Sequence, residues 1–402
     1  MLILKIIFFA IILELLIQII IRKAKKNFPW FINKIDMYPV FDKDKYKFFL
    51  ENSFNKKLGW IRKYNSEGFD RIGLKKIKFK ISKEGYRSLT KKKKKSLFAT
   101  FGDSYVFARQ VKDNETWQEQ MSKNKSYNIL NYGVGNYGFD QGLLRYKNTK
   151  LNKNIKFVII GFVPETICRI QSEWKHFIEF GNIHGFKPKF ILNKNKLILK
   201  PNSLDKNTKL NQLKKIIKKI QSSDRFYKER FKSNMFVFPY TYSFIKNFKF
   251  NLSILSYLLV NRMLFSFKNT GLVNENLFSM VVKRNVKEAH KYYTDIYSKK
   301  LLNKIIINFK NLAKLRHHIP IIIIFPQLMD LKLKKTRKVY QNFFKEMAKE
   351  IHIIDLTSFV LKQDLKKFYT NDKYGGHFSK FGNRVISKII FSEIKKKYIQ
   401  KL

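Results

Sequence analysis

A chain of 402 residues with 45% hydrophobic content is long enough to bury one large core or two ordinary ones, which excludes a disordered polypeptide. Its 83 Lys and Arg against 29 Asp and Glu give a formal charge of +54, a balance that ordinarily points to nucleic acid or an anionic surface. Here the lysines are scattered among Asn and Ile along the whole chain and form no stripe interleaved with aromatics, so no specific nucleic-acid partner is expected. The single cysteine, Cys168, excludes an internal disulfide and a multi-cysteine metal site, and the seven histidines contain no HExxH pair.

In chain order, residues 2–21 read LILKIIFFAIILELLIQIII, and at about 1.5 Å per residue such a helix spans a hydrocarbon core of about 30 Å. No small-x-small cleavage site follows, so the segment reads as a retained anchor through which the membrane becomes a partner. Glu14 and Gln18 lie four apart on one face, and leave open pairing with another helix or an interfacial position. Arg22, Lys23, Lys25 and Lys26 follow the apolar run, and the positive-inside rule taken alone places the body of the protein in the cytoplasm.

Residues 22–95 form a lead-in rich in aromatics, in which KIKFKISKEGYRS (76–88) alternates like a strand running into a glycine turn. The run Lys91 to Lys95 that ends it reads as a solvated loop. Strands and helices then alternate: SLFATF (96–101), a helix around 115–125, YNILNY (127–132), a helix from Asp140, and KFVIIGF (156–162). The rhythm resumes with a helix around 287–315, IPIIIIF (319–325), a helix around 334–350, HIIDL (352–356) and a last helix around 379–398.

That pattern predicts an α/β fold, a three-layer α/β/α sandwich on a five-stranded parallel sheet of flavodoxin-like order. Residues about 168–285 break the rhythm, with a hairpin in KFILNKNKLILK (189–200) and charged or aromatic helices over 205–265. They read as a cap inserted into a domain spanning 96–402, or as a separate partner-binding subdomain.

Phe101-Gly102-Asp103-Ser104 follows the first buried strand directly, which projects a serine from the carboxyl edge of the sheet where Gly102 permits a sharp turn. A serine hydroxyl needs a base to become a nucleophile. The histidine in a comparable setting is His377, in NDKYGGHFSKFGN (371–383), between the fifth strand and the last helix. Asp372 is placed to orient the imidazole, the alternative being a structural turn. GVGNYG (133–138) fits the dinucleotide pattern G-x-G-x-x-G, but it follows the second strand and no acidic residue ends the next one, so its amides read instead as donors to an oxyanion.

FGDSYVFARQV, ILNYGVGNYGFDQ and GGHFSKFGN together resemble the first, second and fifth sequence blocks of the SGNH/GDSL hydrolases, over about 96–170 and 285–402. LGW (58–60) and EGYRS (84–88) are similar to the lead-in of some membrane-associated members. The resemblance implies a nucleophile at Ser104, a base at His377, an oxyanion hole built from Ser104 and the second block, and ester hydrolysis or acyl transfer without a metal.

The chain departs from that family at three places. Asn136 replaces the usual oxyanion glycine, its own amide or that of Gly135 remaining as donor. The third block reads GFVPET (161–166) and lacks its asparagine, leaving Asn136 or Thr166 to substitute. Tyr374 occupies the usual place of the acid, three residues before the histidine. Glu165, Arg169, Trp174 and His176, just after the third strand, are expected to line the cleft, with a Glu165–Arg169 ion pair as the alternative.

Membrane-tethered members often act on envelope glycans. The resemblance therefore implies an acylated saccharide as substrate and an extracytoplasmic domain, against the basic flank. The competing expectation is a catalytically degenerate glycan-binding or envelope-assembly protein.

Overall fold

The computed structural model describes residues 1–27, 32–260, 271–370 and 376–398. Helix α1 (Leu2–Asn27) carries the apolar run. Its stretch Leu2–Arg22 is long and apolar enough to cross a membrane. Helix α2 (Lys43–Asn52) starts at Asp42, whose carboxylate accepts from the Lys45 amide at 2.8 Å. An antiparallel hairpin follows, β1 (Ser66–Ile72) with β2 (Lys75–Ile81), turning at Gly73 with φ 55°. The alternation of KIKFKI buries Ile77, Phe79 and Ile81. The strand ends at Ile81 and runs into the turn at Gly85, which has φ 84°. Its partner β1 was not foreseen, because SEGFDRI buries only Asp70 and carries no regular alternation.

The core begins with β3 (Lys95–Gly102), the short α3 (Ser104–Phe107), α4 (Trp117–Ser122), β4 (Tyr127–Asn131), α5 (Phe139–Asn148) and β5 (Phe157–Phe162). The chain then leaves the sheet. Strands β6 (Lys189–Asn193) and β7 (Lys196–Lys200) form the expected hairpin, with Lys194 at φ 44° and Asn195 at φ 65° as a mirror-image turn requires. Helices α6 (Leu210–Ser223), α7 (Tyr240–Lys246), α8 (Phe248–Val260) and α9 (Gly271–Lys291) complete this insertion.

Helix α10 (Ile296–Leu315), β8 (Ile319–Ile324), α11 (Lys334–Met347), β9 (His352–Asp355) and α12 (Lys380–Tyr398) return to the core. The single helix expected over 287–315 is two, α9 and α10. Asp295 breaks it, because its carboxylate caps α10 by accepting from the Ser298 amide at 2.8 Å.

The five core strands are parallel and lie in the order β9-β8-β5-β3-β4, the flavodoxin-like arrangement read from one edge. Successive side chains serve opposite faces. Phe98, Phe157, Ile159, Ile321 and Ile323 pack with residues of α4 and α12. Ala99, Phe101, Val158, Ile160, Ile322 and Ile324 pack with α5, α10 and α11. Helix α12 buries Ile386, Ile390 and Ile394 completely on one stripe, each contributing about 1.5–3 kcal/mol. Register sets Gly102 beside Gly161 and Thr100 beside Asn131. The carboxyl ends of β3, β4 and β5 therefore coincide at the point where open α/β sheets bind ligands.

Candidate active site

At the end of β3, Gly102 has φ 141°, and a Cβ there would lie 2.4 Å from the Gly161 carbonyl oxygen. Only glycine makes this turn without moving β5. Asp103 caps α3, its Oδ1 accepting from the Tyr105 amide at 2.9 Å. Burial raises the Asp103 carboxyl above its usual range, with Arg169 opposing. Ser104 is thereby the first helical residue, whose amide has no preceding-turn carbonyl to donate to.

His377 Nε2 stands 2.9 Å from Ser104 Oγ, across 273 residues of sequence. The two residues are 8% and 9% exposed. His377 Nδ1 lies 3.1 Å from Gln110 Oε1, which also accepts from Thr370 Oγ1 at 2.8 Å. Because an amide oxygen only accepts, this contact puts the proton on Nδ1 and leaves Nε2 to accept from the serine hydroxyl. The Tyr105 ring packs 4.9 Å from the imidazole, and its hydroxyl donates to the Gly376 carbonyl at 2.7 Å. Asp372 and Tyr374 lie outside the described residues.

The lead-in holds this loop in place. Gln110 donates through Nε2 to the Arg71 carbonyl of β1 at 3.0 Å, and Arg87 donates to the carbonyls of Phe107 and Ala108 at 2.8 and 2.7 Å. Ala108 and Gln110 have φ of 56° and 69°, a conformation non-glycine residues adopt only when the surroundings over-determine it. Sequence reasoning missed Gln110 and Arg87. Arg87 sits in the EGYRS segment, which was a pointer, whereas nothing in the spacing marked Gln110.

The glycine-rich turn lies against the same loop. Val134 donates its amide to the Gly102 carbonyl at 2.9 Å, and a Cβ on Gly133 would come within 2.3 Å of the Phe107 nitrogen. Gly135 follows directly, its carbonyl accepting from Trp60 Nε1 at 3.1 Å, and Asn136 has φ 71°. Neither the Gly135 nor the Asn136 amide meets a backbone acceptor among the described residues.

The segment after β5 differs from expectation. Thr166 donates its hydroxyl to the Val163 carbonyl at 2.7 Å, within its own turn. Glu165 accepts from Gln327 Nε2, and Gln327 N in turn donates to Asp330, which bonds His290 at 2.7 Å. Burial raises the Glu165 carboxyl, with Arg169 opposing. Arg169 forms its ion pair with Glu179 at 2.9 Å, not with Glu165, and donates to the Tyr137 carbonyl at 2.9 Å.

Trp174 and His176 do not line the cleft: they are buried in the insertion, Trp174 stacked on Phe186 and His176 bonded to the Asp36 carbonyl at 2.8 Å. A cavity of about 110 Å³ lies beneath the insertion helices and is lined by Glu165, Cys168, Arg230 and Arg284, but includes neither Ser104 nor His377.

No protein-family model matches this chain, and no curated protein matches it either. Among the solved structures similar to it are two lipolytic proteins. A protein assigned to the lipolytic G-D-S-L family from Desulfitobacterium hafniense superposes with TM-score 0.34 at 10% identity, over 74% of this chain and 99% of that one. A lipolytic G-D-S-L family member from Veillonella parvula gives TM-score 0.35 at 11% identity, over 76% and 98%. At TM-scores below 0.5 these likenesses fix neither fold nor chemistry. The class of the protein is set by its own strand order and side-chain geometry: a doubly wound α/β domain with a serine and a histidine in contact at the switch point.

Proposed function

We propose that the chain is a membrane-tethered serine esterase or O-acyltransferase of the SGNH type, acting on an acyl ester, foremost an O-acetyl group, of a cell-envelope saccharide. The observation that carries this reading is the 2.9 Å approach of His377 Nε2 to Ser104 Oγ at the carboxyl edge of the sheet. His377 takes the hydroxyl proton as Oγ attacks the acyl carbon, and returns it to the departing alcohol oxygen as the tetrahedral species collapses. Water or a sugar hydroxyl then attacks the acyl-enzyme and frees Ser104. The amides of Ser104, Gly135 and Asn136 are assigned to the oxyanion.

Thr166, its hydroxyl engaged by Val163, is left out of that donor set, and Glu165 is assigned to the cleft wall. Asp372 is assigned as the carboxylate that stabilises the imidazolium, and Gln110 as the neutral group that fixes the ring. The sheet domain is assigned to the extracytoplasmic side, in opposition to its basic flank.

A fluorophosphonate probe tests the reading. The intact protein is expected to label stoichiometrically and Ser104→Ala not at all. If the wild type fails to label, the second reading, a glycan-binding protein that has lost turnover with its third-block donor, takes its place.

Gln110 is a positioning residue in this scheme. Gln110→Ala is expected to lower kcat by about 10- to 100-fold with KM little changed, since a misplaced catalytic group costs on that order. Gln110→Glu sets a carboxylate against Nδ1, which favours the protonated ring. The acid limb of the pH–rate profile is then expected to move upward by about one pH unit. Were Gln110 merely structural, both variants would lose activity and the profile would stay where it is.

A further inference from the structure

Helix α1 is not free-standing. Glu14, in the middle of its apolar run, accepts from the amides of Tyr240 and Thr241 and from the Thr241 hydroxyl, the last two at 2.8 and 2.7 Å. Ile17 and Ile21 pack with Phe236, Phe244, Ile254 and Leu258 around α7 and α8. Arg22 lies eight positions beyond Glu14. At about 1.5 Å per residue, the start of α7 therefore touches α1 about 12 Å inward from its basic end, in an apolar layer about 30 Å thick.

From this depth we infer that α7 and α8 are themselves embedded in the bilayer beside α1, as a membrane-seated part of the insertion. The inference rests on α1 spanning the membrane. The outer surface of the pair has the composition this position demands. Phe238, just ahead of α7, and Tyr242, Ile245, Leu252, Leu259 and Val260 on the pair are between 40% and 81% exposed, a set of large apolar side chains of the kind that marks a membrane or interaction surface. Helix α8, at 13 residues, is too short to span and suits a half-inserted element.

Lys246 ends α7, about 9 Å of helical rise from Tyr240, and Lys249 lies in the first turn of α8, so the two flank the junction. From there their ammonium groups reach the headgroups. The arrangement also accounts for Glu14. A carboxylate inside an apolar layer is costly unless paired, and the first amides of a helix, which have no partner of their own, are the donors it finds.

The test uses the full chain in a Cys168→Ser background, reconstituted in phosphatidylcholine–phosphatidylglycerol vesicles. A fluorophore is attached in turn at Phe238→Cys, Tyr242→Cys, Ile12→Cys and Leu74→Cys, the last fully exposed at the β1–β2 turn. Positions 238 and 242 are expected to be quenched by a doxyl-labelled phospholipid at least half as strongly as position 12, and to be shielded from iodide. Position 74 should show the reverse. The inference is overturned if 238 and 242 follow position 74. It is equally overturned if they are shielded from both quenchers and crosslink between copies, which would make a second chain the occupant. Should position 12 itself follow position 74, α1 does not span and the inference falls with it. None of these outcomes touches Ser104, so fluorophosphonate labelling still judges the catalytic proposal separately.

Discussion

Turnover of a soluble aryl ester by His377→Ala is expected to fall by about 10⁴- to 10⁶-fold, and by Ser104→Ala as far, with the double variant no slower than either single one. The two side chains meet at 2.9 Å. A hydroxyl without its base and a base without its hydroxyl are equally unable to make the acyl-enzyme, so the second deletion removes nothing further. What remains in all three is the rate due to binding and to the oxyanion amides. Steady-state rates of the three variants decide the matter. Residual activity within tenfold of wild type in either single variant, or losses that multiply in the double, would mean that the two groups do not act as a unit.

The parts of this design that could be read from sequence were those governed by short-range periodicity. The runs SLFATF, KFVIIGF and IPIIIIF are apolar on both faces, as a parallel sheet covered on both sides requires, and they sit in β3, β5 and β8. From the positions of Ser104 and His377 relative to those strands, both side chains fall on one rim. The residues that escaped notice work through long-range contact. Gln110 reaches the imidazole 267 positions away, and its own φ of 69° is imposed by Arg87 and β1 rather than by a local glycine.

Trp174 and His176 misled for the complementary reason. Position after a strand suggested the cleft, but large rings go where other rings exclude water, and Phe177, Phe186 and Phe231 supply that environment inside the insertion. Glu14 was recognised as anomalous in an apolar helix. Its partner lay 226 residues on, beyond the reach of any pattern.

The largest stability effect is expected at the ion pair of Asp140 and Lys187, whose side chains are 0% and 2% exposed. Asp140 sits in the first turn of α5, where a carboxylate is favoured by the helix dipole, and its Oδ1 accepts from the Gln141 amide at 2.8 Å. Lys187 comes from the insertion just ahead of β6 and among the described residues has one further acceptor, the Pro188 carbonyl at 3.3 Å. Removing either partner strands a charge in the interior. Asp140→Ala and Lys187→Ala are each expected to cost about 3–5 kcal/mol.

Replacing both at once, Asp140→Leu with Lys187→Met, removes the two desolvation penalties together with the attraction, and should come within about 1 kcal/mol of wild type. Chemical denaturation of the full chain in detergent measures all three. Because a Cβ on Gly138 would lie 2.6 Å from Asp140 Oδ1, the pair also braces the turn that bears Gly135 and Asn136. Asp140→Ala should therefore lose turnover in conditions where it remains folded, and the double variant should lose it too, having restored stability without restoring the carboxylate against which that turn is packed. A double variant that regains stability and activity together would show that docking of the insertion, and not the carboxylate, sets the oxyanion amides. Single variants that cost less than about 1 kcal/mol would mean that water reaches the pair and that the interior at this junction is not dry.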